Sequence, residues 1–284
     1  MGKASKRKEK RREKNSTTAG PAVLKMLTDN TNPLVSITLV GPPKHPDDPM
    51  PLSRSMGFVV DRFSSGLRLV VTCRHALDSF DAPGYRTIIG FENPRPKIVT
   101  MVGEPILDVR PESDIAYLLV RDPLDAPTRP FEVQPEDPPL IGKRILYNAR
   151  NRCEPGLGVP GLYVVSTFRQ KAKEMNYLAF CKFTSKDVVL WDRSNHAKHA
   201  ELEHDGWIRS RSFQMVSRPG YSGSPIWDDE LRLYGMNFRG TEPSDIDYEK
   251  FGDVATCIPV SELYSARQRV DEILRARLAS LNDQ

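Results

Sequence analysis

Cysteine is scarce in this sequence of 284 residues. The four present, Cys73, Cys153, Cys181 and Cys257, stand far apart and form no Cys-x-x-Cys pair. That spacing matches no common zinc framework, and a chain of this length can bury a core without disulfide staples. Long apolar runs are missing too. No stretch approaches the roughly 18 residues of a membrane-spanning helix, so no membrane association is expected. No apolar segment follows the charged N-terminus, so no secretory signal is read. The expectation is a soluble, reduced, cytoplasmic protein. A nuclear location is the alternative, because of the basic run described next. No cofactor and no metal are expected.

Acidic charge is sparse at one end only. Residues 1–14, MGKASKRKEKRREK, hold eight Lys or Arg and two Glu, a net +6, while the whole chain carries +4. The remainder, with 33 basic and 35 acidic residues, stands at −2. Residues 1–20 are therefore read as a disordered basic tail. Such a tail is solubilising, or it serves as a nuclear signal or a weak nucleic-acid contact. A body at −2 excludes a broadly basic nucleic-acid surface.

Helical periodicity is nearly absent before residue 260. In LVSITLV (34–40), apolar Val35, Ile37 and Leu39 alternate with Ser36 and Thr38, the period of a half-buried strand. GFVVDRF (57–63) and LRLVVT (67–72) read as a hairpin with Leu67, Leu69 and Val71 on one face. Further strands are read at 86–91, 97–102 and 115–120. After a proline-rich connection at 122–140 come strands at 142–148, 162–168, 177–183, 207–213, 224–227 and 231–238. From Ser261 to Leu281, the residues Leu263, Ala266, Val270, Ile273, Leu274, Leu278 and Leu281 recur at helical spacing. The pattern predicts an all-β protein of two small barrels with a C-terminal helix. The expected units are the tail (1–20), a first barrel at about 30–121 and a second at about 141–260 within a domain of 21–260, and a helix at 261–284.

Histidine is also rare, and this narrows the chemistry. The stretch GYSGSP (220–225) presents Ser222 between glycines. A serine hydroxyl becomes a nucleophile when a base takes its proton and a carboxylate orients that base. Of five histidines, His45 lies in a proline-rich loop, and His196, His199 and His204 lie in the polar stretch SNHAKHAELEHDG. That stretch reads as a solvated loop, not a zinc site, since its spacing suits no standard ligand set. His75 directly follows the apolar strand, in VVTCRHAL. Asp114 opens the apolar strand in SDIAYLLV, where an acid is costly to bury unless paired. Asp108 is the runner-up carboxylate.

Taken in order, VTCRHAL, SDIAYLLV and GYSGSP resemble the histidine, aspartate and nucleophile motifs of chymotrypsin-like (trypsin-like) serine peptidases. The resemblance covers about residues 30–275, and the tail IPVSEL leads toward the intracellular, HtrA-like branch. It implies two six-stranded antiparallel barrels and a serine endopeptidase that works through an acyl-enzyme. It assigns Ser222 as nucleophile, His75 as base then acid, Asp114 as orienting carboxylate, and the Gly220 and Ser222 amides as the oxyanion hole. It lines the primary substrate pocket with Val216, Met236 and Asn237. No acid stands there, so a neutral or apolar residue is expected before the cut. Tyr221 replaces the acidic residue that secreted members carry before the serine, so activation by a new N-terminus is not expected. Ser224 replaces a glycine, and Cys73 near His75 has no evident disulfide partner. The expected partners are a protein or peptide substrate and a regulatory protein. The alternative function is a catalytically quiet protease-fold module that binds peptides or proteins, or a partner-gated protease.

Overall fold

The architecture comes from a computed structural model that describes residues 33–42, 52–63, 66–78, 80, 82–91, 97–122, 128–139, 146–155, 163–182, 187–241 and 248–282. The expectations for the tail, for His45 and for residues 142–145 fall outside those residues.

The first sheet contains β1 (Leu34–Val40), β2 (Leu52–Arg62), β3 (Leu67–Cys73), β4 (Arg86–Phe91), β5 (Lys97–Met101), β6 (Ile106–Leu107) and β7 (Ile115–Arg121). Its order is β3-β2-β1-β4-β5-β7-β6, and β3 also pairs with β7. Six antiparallel strands thus close into a barrel, with the two-residue β6 added on β7.

The second half contains β8 (Leu146–Pro155), β9 (Tyr163–Lys182), β10 (Asp187–Asp192), helix α1 (His196–His204), β11 (Ile208–Gln214), β12 (Pro225–Asp228), β13 (Leu233–Gly240), helix α2 (Tyr248–Phe251) and β14 (Val254–Pro259). Its sheet runs β10-β9-β11-β14-β13-β12-β8, and β8 pairs back onto β9. Helices α3 (Val260–Arg269) and α4 (Asp271–Asn282) follow. The all-β, two-sheet class with a C-terminal helix is the architecture expected from the sequence. Each sheet has seven strands, because β6 and β10 add to the six that ring it.

The strand β1 is buried along its whole length, not on one face. Ser36 and Thr38 are inside, and the Ser36 hydroxyl donates to the Gly90 carbonyl at 3.1 Å. A hydroxyl satisfied in this way no longer marks a solvent face. One face of the barrel strands gathers Val35, Ile37, Val59, Val70, Ile89, Phe91, Leu118 and Val120. The other, with Leu34, Phe58, Leu69, Val71, Tyr117 and Leu119, joins Trp227, Met236, Ile258 and Leu263 in a core shared with the second half and α3. The connection between halves is tied in at Phe131. Its N–H donates to the Val59 carbonyl at 2.9 Å, and its ring packs edge-on to Phe58 and against Trp227.

Three departures from the sequence pattern have physical causes. The strands expected at 162–168 and 177–183 are one 20-residue strand, β9, which spans from β8 to β11. The stretch HAKHAELEH is helix α1, not a loop. Asn195 caps it by accepting from the Lys198 N–H at 3.2 Å, and His199 and Leu202 are buried beneath it. The terminal helix breaks at Val270, which has φ −96° and ψ 1°, yet N–H bonds from Val270 to Ala266 and from Leu274 to Val270 bridge the break. Among the described residues, no helix is long and apolar enough to cross a membrane.

Candidate active site

His75 and Asp114 are 39 residues apart in sequence and in contact in space. His75 sits in a single 3-10 turn (Arg74–Leu77) that ends β3, and Asp114 precedes β7. Because β3 and β7 pair from Cys73↔Ile115 onward, the two strand ends lie side by side. His75 Nδ1 is 2.6 Å from Asp114 Oδ2. The backbone N–H of His75 donates to Oδ1 of the same carboxylate at 2.9 Å, and the Arg74 N–H donates to the Asp114 carbonyl at 2.9 Å. Both carboxylate oxygens are thus committed to one residue, which fixes the imidazole plane. With Oδ2 accepting, Nδ1 carries the proton and Nε2 is left as the basic nitrogen. The Asp114 side chain is 10% exposed and that of His75 is 43% exposed. The carboxylate is shielded while the imidazole stays open to solvent.

Asp114 adopts φ 54°, a left-handed conformation that non-glycine residues enter at a cost of about 1–2 kcal/mol. Aspartate tolerates it better than most residues. The three hydrogen bonds above hold it there.

Ser222 lies in the turn between β11 and β12. Its hydroxyl donates to the Phe238 carbonyl at 3.3 Å. The turn is pinned on both sides. The Met56 N–H donates to the Ser222 carbonyl at 2.7 Å, Gly223 N–H to Asn237 O at 2.8 Å, and Asn237 N–H to Ser224 O at 2.8 Å. Gly223, at φ 82°, has no room for a side chain, since a Cβ would lie 1.9 Å from the Met56 carbonyl oxygen. Gly220, at φ 98°, turns the chain into the serine. The N–H groups of Tyr221 and Ser224 are used within the turn, by Arg218 O and Tyr221 O. Those of Gly220 and Ser222 donate to no other described residue, which leaves two amides for an oxyanion.

Cys73 is where the two halves of the site meet. Its thiol is fully buried and lies 3.5 Å from the Asn237 carbonyl, the same oxygen that holds Gly223. A thiol sulfur, an imidazole nitrogen and a carboxylate oxygen from Cys73, His75 and Asp114 fall within 4.8 Å of one another. The His75 ring is already engaged by the acid, and burial, reinforced by the Asp114 charge, pushes the Cys73 thiol well up. A protonated thiol here packs as a small core residue.

The three expected pocket residues have different surroundings. Val216 is partly exposed. Met236 is buried in the shared core. Asn237 is also buried, and its amide donates to Ser217 Oγ and to the Tyr221 carbonyl, both at 3.1 Å. Asn237 therefore braces the Ser222 turn. The sequence carried no sign of that bracing, nor of the junction at Met56 and Thr72. The Thr72 hydroxyl donates to the Met56 carbonyl at 2.7 Å, beneath Gly223. Asp108, the runner-up acid, does not touch His75 and pairs with Arg269 instead.

Two antiparallel sheets, a His–Asp pair at adjoining strand ends, and a glycine-lined serine turn bonded to β2 and β13 together have the form of a peptidase domain. The trypsin-like peptidase domain family matches residues 55–236, a span that contains all three motifs, and the chain belongs to that family. Among solved structures, it is similar to the active form of the Rv3671c protease from M. tuberculosis. The identity is 15%, the TM-score 0.49, and the overlap covers 89% of this chain and 88% of that one. No curated protein matches the sequence.

Proposed function

We propose that the protein is a serine endopeptidase in which Ser222, His75 and Asp114 form the catalytic triad. The observation that carries the reading is the His75 Nδ1–Asp114 Oδ2 contact at 2.6 Å, with the second carboxylate oxygen anchored by the His75 N–H. A merely structural Asp–His pair has no need of a 43% exposed imidazole, and the serine turn carries two amides that donate to no other described residue.

In this mechanism the Ser222 proton, resting on the Phe238 carbonyl, passes to His75 Nε2 as Oγ attacks the substrate carbonyl. The developing oxyanion meets the Gly220 and Ser222 amides. Each such donor contributes about 2.7–4 kcal/mol to the transition state. His75 then protonates the leaving amine, and water repeats the sequence to release the acyl group. Asp114 stays ionised and steadies the imidazolium. Val216 and Ser217 border the strand end that would receive the residue before the cut. With no carboxylate among them, a neutral side chain fits better there than lysine or arginine.

The test is hydrolysis of an unfolded protein by the wild type, with fragment masses locating the cuts. Cleavage that is lost in Ser222→Ala supports the reading. Equal cleavage by both proteins refutes it.

A further inference from the structure

We propose that Asp108 and Ser113, locked by Arg269 from the end of α3, form a positioning clamp that holds the Asp114 carboxylate on His75. This inference rests on the triad reading above.

The clamp begins on the C-terminal helix. Arg269 Nε and Nη2 donate to Asp108 Oδ1 and Oδ2 at 2.8 and 2.5 Å, a two-point pairing that fixes orientation as well as distance. The Asp108 side chain is 1% exposed. Its Oδ2 also accepts from the Ser113 hydroxyl at 2.6 Å. Ser113 is the residue immediately before Asp114. The loop between them is closed at its base, where the Asp108 N–H donates to the Ile115 carbonyl at 3.1 Å. Residues 109–114 are thus a short closed loop, stapled from inside by one carboxylate. Glu262 accepts from Arg269 at 2.8 Å and also pairs with Arg110 on the loop.

The staple matters because of what it restrains. Asp114 stands at φ 54°. A residue in that conformation relaxes unless its neighbours are held. Freeing Ser113 lets the loop rotate Asp114 back to negative φ, and that rotation carries Oδ2 away from His75 Nδ1. Helix α3 is itself anchored on both halves. The Tyr117 hydroxyl donates to the Leu263 carbonyl at 3.0 Å, and Leu263 and Val260 sit in the shared core with β13 and β14 residues. The C-terminal helix thereby sets the acid in the first barrel relative to the nucleophile turn in the second.

The experiment compares Ser113→Ala, Asp108→Asn and Arg269→Lys with wild type, and uses Arg277→Ala as a control. Arg277 ties α4 to the Glu104 carbonyl, away from Asp114. Two readouts are taken on folded protein. The first is the low-field NMR resonance of the His75 Nδ1 proton. The second is kcat and KM for peptide cleavage. The clamp predicts that Ser113→Ala and Asp108→Asn shift or broaden that resonance and lower kcat on the order of ten- to a hundredfold with KM little changed, the scale of a sub-ångström to 1 Å misplacement. Arg269→Lys should lie between these variants and wild type, and Arg277→Ala should leave both readouts unchanged. An unaltered His75 resonance in folded Ser113→Ala overturns the clamp, even if its Tm falls. If wild type does not cleave peptides, the triad reading fails separately, and the resonance still decides the clamp.

Discussion

Gly223→Ala should be among the most damaging single-methyl additions in the molecule. The added Cβ would sit 1.9 Å from the Met56 carbonyl oxygen and 2.6 Å from Thr72 Oγ1, and Gly223 stands at φ 82°. Two costs add. Forcing a Cβ into the left-handed region costs about 1–2 kcal/mol, and overpacking a tight contact costs about 1–3 kcal/mol. The relief open to the protein is to move β2 away from the turn, and this breaks the Met56–Ser222 bond of 2.7 Å and the Thr72–Met56 bond of 2.7 Å. The total is about 2–5 kcal/mol, and the movement also separates Ser222 from the strand end that carries His75. Urea unfolding followed by tryptophan fluorescence measures the loss directly, since Trp227 is fully buried between Phe131 and Tyr147. A variant that unfolds at the wild-type urea concentration would refute the close approach of the two halves at Gly223.

Other outcomes follow from the same contacts. Asp114→Asn should keep the fold but lower kcat by about 10⁴-fold, as an amide selects the wrong imidazole tautomer; a change of less than tenfold in steady-state kinetics would contradict the orienting role. Glu174→Gln should destabilise the protein by about 3–5 kcal/mol, measured by denaturant titration, because its carboxylate accepts from both buried Arg211, at 2.7 and 2.8 Å, and Arg193, at 2.9 Å. Burial alone would raise the Asp108 pKa, but hydrogen bonds from Arg269 and Ser113 outweigh it and hold the carboxyl below its ordinary value of 3.8. A depressed folded-state pKa adds stability that is full above that ordinary value and lost as pH falls through the folded pKa. The stability gap between wild type and Asp108→Asn should therefore narrow as pH drops below about 4, and a constant gap would count against the pairing. Cys73, Cys181 and Cys257 should react with thiol reagents only on unfolding, since all three are buried and their thiols are pushed up, Cys181 to about 12.

Strand positions in the first barrel were readable in the sequence because their apolar runs are short and bounded by turn residues. The segments 86–91 and 115–120 match β4 and β7 closely for that reason. The two-sided burial of β1 was not readable, because the Ser36 hydroxyl is satisfied by the Gly90 carbonyl, a partner that sequence does not show. β10, DVVLWD, and β14, with Thr256 and Cys257 buried inside the sheet, lack an alternating signature. Helix α1 hid behind three histidines, yet its burial depends on only His199 and Leu202. His75, Asp114 and Ser222 could be picked from local strings, since each stands at the end of a strand or in a glycine turn. Asp108 was read only as a runner-up acid, and its pairing with Ser113 and Arg269 could not be read, because Asp108 and Arg269 are 161 residues apart and nothing local marks their contact.

The most direct measurement is reaction of the purified protein with a fluorophosphonate probe, read by intact mass and peptide mapping. The account predicts one adduct, on Ser222, that is absent in Ser222→Ala and in His75→Ala. No adduct on folded wild-type protein, or an adduct that persists in either variant, would contradict it.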